Sequence, residues 1–526
     1  MLRTAEKHAL EFAAGLRQFP VSAGPSGEIS RVCLIARTYL DCVQLSFDED
    51  SLARFLDGFQ EVATLEMGEI WGLKPALESE ILSRLENSAD SQWPELVTSL
   101  RHIGEMAWKD LFETVSIVDR ILASDPADAY TRMDFESRDR YRAVIAELSK
   151  HSALSEREVA EVALELGHES LTVGNRSRAA MRRAHVGYYL IDGGLSQLRS
   201  RIVYKAPLRA CLKEAALRFP TTFYLGGIEV LTLLTVALLI SRAGAYTPVL
   251  TGLLLLLLPA TQVAVDFVNH LVTYLLAPRA LPKLDFSEGV PEECATLVAV
   301  PSLLLNEAQV RDLALDLEIR FLANRAANVY FALVTDSPDS DQQVDDRDAL
   351  AAVCRQLIEG LNRRYAGSPF FLFHRHRVYN ESEGRWMGWE RKRGKLLDLN
   401  QLMRGGFDAF PVKVGNLDVL PGIRYVITLD SDTQLPRDSA AKLIGAIAHP
   451  LNAAVVDPMR QVVVEGYGIL QPRIGVSIQS AARSRLAALY SGETGFDIYT
   501  RAVSDVYQDL FGEGIFTGKG IYDVDV

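Results

Sequence analysis

The sequence predicts three parts in series: an all-α region, a two-helix transmembrane hairpin, and an α/β domain. Up to about Pro220 apolar residues recur at helical spacing. Residues 223–240 and 249–276 then form two runs that each supply roughly the 18 to 20 apolar residues needed to cross a bilayer. From Thr296 onward short unbroken apolar runs alternate with helical patterns, as in an α/β domain. The expected boundaries are 1–220 for the helical region, 221–277 for the two spans, 278–294 for a Pro-containing linker and 295–526 for the α/β domain. A chain of 526 residues, 48% hydrophobic and 23% charged, is too long for one ordinary core and is neither disordered nor wholly membrane-embedded. Its net charge of −13 argues against nucleic acid as a partner, because phosphate binding calls for a basic field.

In the helical region, Leu52, Phe55, Leu56 and Phe59 share one helix face, as do Leu77, Ile81, Leu82 and Leu85. Ser155 followed by Glu158 is a capping box ahead of Val159, Val162, Ala163 and Leu166. His102, His151, His168 and His185 are scattered without metal-ligand spacing and read as ordinary surface or core histidines. The aromatic and charged stretches 130–142 and 185–194 read as interhelical packing with ion pairs, and Tyr188 and Tyr189 are candidates either for core packing or for stacking on sugar. Cys33, Cys42, Cys211, Cys294 and Cys354 are odd in number and lack C-x-x-C spacing, so they imply neither a disulfide framework nor a zinc site, and reducing surroundings fit them. The first residues, MLRTAEKHALEF, lack the continuous apolar stretch of a secretory signal.

Basic residues bracket the apolar runs: Lys205, Arg209, Lys213 and Arg218 precede the first, Arg279 and Lys283 follow the second, and the connecting loop carries only Arg242. By the positive-inside rule both flanking soluble parts are cytoplasmic. A buried soluble hairpin is the alternative, but the stretch LTGLLLLLLPA (250–260) has no polar stripe to face water. Glu229 and His270 fall at matching depths, roughly 10 to 12 Å inward, and are expected either to pair, with Asp266 and Asn269 as other partners for Glu229, or to leave Glu229 snorkelling to the nearby interface.

Within the α/β domain, residues 296–300, 329–335 and 370–373 read as strands, and 313–321 and 350–361 as crossover helices. Tyr425, Val426, Ile427, Thr428 and Leu429 form a further strand buried on both faces, and it runs out into Asp430, Ser431 and Asp432. Two carboxylates at a strand's carboxyl end sit where open α/β sheets hold ligands, and as hard oxygen donors they suit Mg²⁺ or Mn²⁺ bridging to phosphate. An Asp-x-Asp is also a common turn sequence, so its weight comes from the strand before it and the helix after Pro436. Asp336 closes another strand in the same manner.

The stretches VPSLLLNE (300–307), VTDSPDS (334–340), ERKRGKLLDLN (390–400) and LDSDTQLPRD (429–438) resemble, in order, the motifs of inverting, cellulose-synthase-like glycosyltransferases. That resemblance implies a nucleotide-sugar-binding fold of the GT-A type. It implies that Asp336 contacts the uridine, that Arg393 and Lys395 lie near the diphosphate, and that Asp430 and Asp432 hold the metal and donor. GIFTGKGIYD (514–523), with Gly518 and Lys519, is similar to the loop that meets the acceptor sugar. At Ser302 and Leu303 the sequence departs from the family's Thr-Tyr. YTRMDFESRDRYR, HVGYYLID, WMGWERKRGKL and FTGKGIYDVDV together resemble the cyclic β-1,2-glucan synthases.

That resemblance implies an enzyme of the bacterial inner membrane that transfers glucose from UDP-glucose to a growing β-1,2-glucan and releases UDP. The resemblance places the general base and an Arg-Trp acceptor motif beyond Val526, so the transferase domain is expected to be incomplete in this chain and its activity weak or absent. A synthase of another polysaccharide, or an inactive membrane-bound fragment or scaffold, are the alternatives. Trp386 and Trp389 could stack against sugar or serve as packing anchors.

Overall fold

The structure, a computed structural model, describes residues 2–16, 19–24, 27–87, 92–171, 177–243, 249–276, 278–345, 349–475, 482–485, 488, 506–514 and 516–526. Ala277, at the end of the second apolar run, and Ile515, in the acceptor-loop motif, lie outside the described residues. The chain forms two compact units, Met1–Lys205 and Ala206–Val526.

The first unit is built of helices around a core that includes Leu52, Leu77, Leu100 and Ile103. Local chemistry fixes their ends. Asp48 caps Glu49–Gln60 by accepting from the Ser51 amide at 2.8 Å. At Glu156–Ser170 the expected capping box is complete: Ser155 Oγ accepts from the Glu158 amide, and Glu158 accepts from the Ser155 amide at 2.8 Å. The aromatic and charged stretches are interior in part: Tyr130, Tyr141, Arg142, His185 and Tyr189 are buried, while Arg132 and Glu136 are exposed. His185 is fully buried between Asp125, at 2.7 Å from its Nδ1, and the Tyr141 hydroxyl, at 3.0 Å from its Nε2. Tyr189 is buried and stands edge-on to Tyr188. A hairpin of Val21–Gly24 with Gly27–Ser30 interrupts the helices and forms its own two-stranded sheet, which helical spacing did not foretell.

The second unit opens with a short helix, Leu208–Arg218, and then the two long apolar helices, α1 (Pro220–Ala243) and α2 (Val249–Leu275). Both are long and apolar enough to cross a membrane, and Leu233, Leu234, Leu238, Leu255 and Leu258 are exposed along them. The polar contact between them is not the one expected. Tyr224 donates to Asn269 Oδ1 at 2.6 Å, with both side chains buried, whereas Glu229 and His270 are each exposed. Depth along the two helices matched, but rotation about the helix axes put Tyr224 and Asn269, not Glu229 and His270, on the facing sides.

The α/β part is a seven-stranded sheet. Its strands are β1 (Thr296–Leu303), β2 (Val329–Asp336), β3 (Phe370–His374), β4 (Val412–Val414), β5 (Tyr425–Thr428), β6 (Ile469–Leu470) and β7 (Gly520–Asp523). Their spatial order is β6-β7-β5-β1-β2-β3-β4. The central four are parallel, with Val298 opposite Ile427 and Val300 opposite Leu333. The flanking β4, β6 and β7 pair antiparallel. Alternation along each strand feeds two cores. Val298, Val300, Phe331 and Leu333 face helices α3 (Glu307–Ala323) and α4 (Ala349–Arg364), while Leu297, Ala299, Ala332 and Val334 face α5 (Arg391–Met403). Helix α6 (Ser439–Ala448) joins the first face through Ile444 and Ile447. The chain winds from β1 through β2 to β3 and then returns to place β5 on the other side of β1. The order therefore reverses between β1 and β5, so the carboxyl ends of these two strands lie side by side at the reversal, the place where such sheets bind ligands.

Candidate functional site

Asp336 is the last residue of β2 and is buried. A carboxylate there needs full compensation, and it has it: Arg375 makes a two-pronged contact, Nε to Oδ1 at 2.7 Å and Nη2 to Oδ2 at 2.9 Å, and Lys395 Nζ lies 2.9 Å from Oδ2. Arg375 also reaches Asp398 at 2.8 Å, and the Trp389 indole donates to the same Asp398 oxygen at 3.1 Å. Burial works against the Arg375 charge, but Asp336 and Asp398 outweigh it and hold its pKa above the usual value. For Lys395 burial wins, and its pKa is lowered despite Asp336. The Lys395 ammonium also donates to the Ser302 carbonyl at 3.0 Å, so the Pro-Ser-Leu end of β1 takes part through its backbone.

Asp430 follows β5. Lys392 Nζ sits 2.6 Å from its Oδ1 and Lys519 Nζ 3.1 Å from its Oδ2. Burial would raise this carboxyl, but the two lysines more than offset it and its pKa is lowered. Lys392 also donates to the Gly518 carbonyl, which ties the loop before β7 to the same point. Gly518 has φ +84°, a left-handed conformation that side chains resist, and an added Cβ would lie 3.2 Å from Lys392 Nζ.

One helical turn joins the two acids. Lys392 and Lys395 are three residues apart at the start of α5 and project from one face, so one reaches Asp430 while the other reaches Asp336. The backbone entering that turn is held in an unusual shape, with Glu390 at φ 52° and Arg391 at φ 44°, a conformation that costs about 1 to 3 kcal/mol per residue and needs its surroundings to hold it. Gly388 is required for closeness, because a Cβ there would fall 2.6 Å from Asp336 Oδ2.

Arg393 is not gathered with this group. It is one residue past Lys392, about 100° further round the helix, and its side chain is 77% exposed with Glu390 at 3.3 Å. Lys392 occupies the position by Asp430, and Lys392, Arg375, Asp398 and Arg320 are charged residues around the site that sequence reasoning passed over. The three-residue spacing from Lys395 was the available signal for Lys392; nothing in the sequence around Arg375 marked it.

Asp432 is exposed on the loop after Asp430. That loop is held from behind by α3. Buried Arg320 donates to the Ser431 carbonyl at 2.7 Å and to the Thr433 carbonyl at 2.8 and 3.0 Å, while Asn324 donates to the Leu435 carbonyl and accepts from the Ala440 amide. Among the described residues no group of three or more His, Cys, Asp or Glu side chains could hold a metal ion. Asp430 and Asp432 thus form no all-protein cage. An ion that takes one or two carboxylates and fills its shell with phosphate oxygens and water would require the Lys392 and Lys519 ammonium groups to give way from Asp430.

Fold and site define an α/β protein with two helices long and apolar enough to cross a membrane and a cluster of paired charges at the switch point of its sheet. No family model matches the chain. It is 38% identical over 452 residues, 84% of its length, to the cyclic beta-(1,2)-glucan synthase NdvB of Rhizobium meliloti (strain 1021). At that identity it is a cyclic-glucan-synthase-like protein, and it spans 16% of the length of that relative.

Proposed function

We propose that the protein serves as a membrane glucosyltransferase that moves glucose from UDP-glucose onto a growing β-1,2-glucan, with inversion, in the synthesis of a cyclic product. The observation that carries this reading is the first turn of α5, whose Lys392 and Lys395 draw Asp430 and Asp336 into one cleft. In this reading Asp336, backed by Arg375, meets the uridine half of the donor, and Lys392, Lys395 and Lys519 face the diphosphate. Asp430 and Asp432 would hold a Mg²⁺ or Mn²⁺, which would supply Lewis-acid charge for the departing UDP. The lysines add fixed positive charge in a partly dry site, where it stabilises a developing anion far better than water does. A diphosphate also gives Lys392 and Lys519 a new partner, which frees Asp430 for the ion. The Gly518–Lys519 loop lies against Asp430 and is assigned to the acceptor sugar. The base that takes the acceptor's proton is left unassigned among these residues.

In the same reading the helices α1 and α2 span the bacterial inner membrane, and the basic residues at their outer ends keep both flanking regions cytoplasmic. The test uses the protein in proteoliposomes, offered UDP-glucose, UDP-galactose or UDP-N-acetylglucosamine, with Mg²⁺ or with EDTA. With no base assigned among these residues, the expected result is slow incorporation, from UDP-glucose alone and lost in EDTA, into a 1,2-linked product. Transfer from another donor, or transfer unaffected by EDTA, overturns the donor or the metal assignment, and a different linkage points to a synthase of another polysaccharide.

A further inference from the structure

The helix Leu208–Arg218 buries none of its residues. Leu208, Leu212, Ala215 and Phe219 recur at i, i+4, i+7 and i+11, which aligns them in one stripe down the helix and its final cap. Leu208, Leu212 and Phe219 are 77%, 64% and 59% exposed, so the stripe is open along its length. Arg209 and Lys213 flank it on one side and Arg218 on the other, with the Arg218 guanidinium 5.6 Å from the Phe219 ring. The back of the helix is anchored: Leu217, on the opposite side, packs against the cluster of Tyr224, Val268, Val272, Leu276 and Leu510. The front is left uncovered among the described residues.

Its position says what covers it. Pro220 begins the first apolar helix, and the Phe223 amide bonds back to the Phe219 carbonyl, so the short helix runs into the candidate span without a linker. Eleven residues are too few to cross a bilayer, which takes about 20, yet an apolar stripe edged with cations suits the boundary between acyl chains and headgroups. Cations beside such a stripe select anionic headgroups.

We propose that Leu208–Arg218 lies in the plane of the membrane where the first span enters it, with Leu208, Leu212 and Phe219 among acyl chains and Arg209, Lys213 and Arg218 among anionic headgroups. The inference rests on the hairpin crossing the bilayer, and the test separates the two. The whole protein, with Cys33, Cys42, Cys211, Cys294 and Cys354 replaced, receives one nitroxide-labelled cysteine at a time at 208, 209, 212, 213 or 215, and at Leu234 in the span. Collision with oxygen and with a water-soluble nickel chelate is measured in vesicles of phosphatidylglycerol and phosphatidylcholine.

The expected pattern has oxygen favoured at 208, 212 and 215, nickel favoured at 209 and 213, and oxygen favoured at 234. Nickel access at all five short-helix positions with oxygen favoured at 234 overturns the interfacial helix and leaves the span intact. Nickel access at 234 as well overturns both. Labels at 208 and 212 shielded from both reagents, in vesicles and in detergent alike, mean that protein covers the stripe, which also overturns the proposal.

Discussion

Lys392 holds Asp430 at 2.6 Å, while Arg393, its neighbour in sequence, extends into solvent. Replacing Lys392 with Met removes a charge-assisted contact of about 1.5 to 3 kcal/mol, so UDP affinity in Mg²⁺ should fall roughly 10- to 100-fold by calorimetry. Arg393→Met should stay within about twofold, since exposed ion pairs contribute about 0 to 1 kcal/mol. Equal losses in the two variants would refute the assignment of the diphosphate to the Lys392 side of α5. Asp432→Ala should remove the Mg²⁺ dependence of UDP binding, because one carboxylate with waters holds the ion poorly. In the first unit Glu156 makes a separate prediction. Burial is the main cause raising its pKa to about 7, although its carboxylate accepts from the Met67 amide at 2.8 Å. The folded state therefore keeps a proton that the unfolded chain releases near its ordinary value of 4.5. It follows that stability contributed by this group declines as pH rises from about 4.5 to about 7 and levels off above. Glu156→Gln should flatten that decline in urea titrations run across pH 5 to 8, and an unchanged slope would assign it to other groups.

At the scale of elements, the legible strands were those buried over most of their length: Thr296–Leu303, Val329–Asp336, Phe370–His374 and Tyr425–Thr428 each carry an apolar run of three or more residues. The antiparallel flanks Val412–Val414, Ile469–Leu470 and Gly520–Asp523 hold two to four residues each, too few for any period to show. The acids at the strand ends were legible for the same reason as the strands, as the polar residues that terminate apolar runs. Their partners were not, because Arg320, Arg375 and Lys392 reach the site from other elements, and a helical pattern does not reveal which neighbour a side chain meets. Arg320 gives this a test. Its guanidinium supports the carbonyls of Ser431 and Thr433 on either side of Asp432. Arg320→Met should leave them unpaired, at a cost of about 1 to 3 kcal/mol, and loosen the loop. UDP binding should then need more Mg²⁺ for half-saturation while affinity measured in EDTA stays unchanged. An equal loss with and without the ion would show Arg320 to be general scaffolding. Ser155→Ala, which breaks the capping box on Glu156–Ser170, should cost about 1 kcal/mol in denaturant and leave nucleotide binding untouched.

For the molecule as a whole, the sequence boundary at Pro220 and the boundary between compact units after Lys205 differ by the basic amphipathic helix, whose periodicity made it resemble the helices before it. What it packs against, Tyr224, Val268 and Leu510, belongs to the second unit, and no periodicity encodes that choice. Each unit has its own core: Leu100 and Ile103 lie in that of the first, Val298 and Ile427 in that of the second. Separate cores imply separable stabilities. Leu100 is fully buried, so Leu100→Ala should destabilise the first unit by about 2 to 5 kcal/mol through lost burial and the cavity left behind. Hydrogen exchange followed by mass spectrometry should show protection falling in peptides from 27–87 and 92–171 while those covering 296–303, 329–336 and 425–428 keep theirs. UDP binding should remain unchanged in the same sample. If protection in the seven-stranded sheet falls in step with that of the first unit, the two cores unfold as one cooperative body and their independence is refuted.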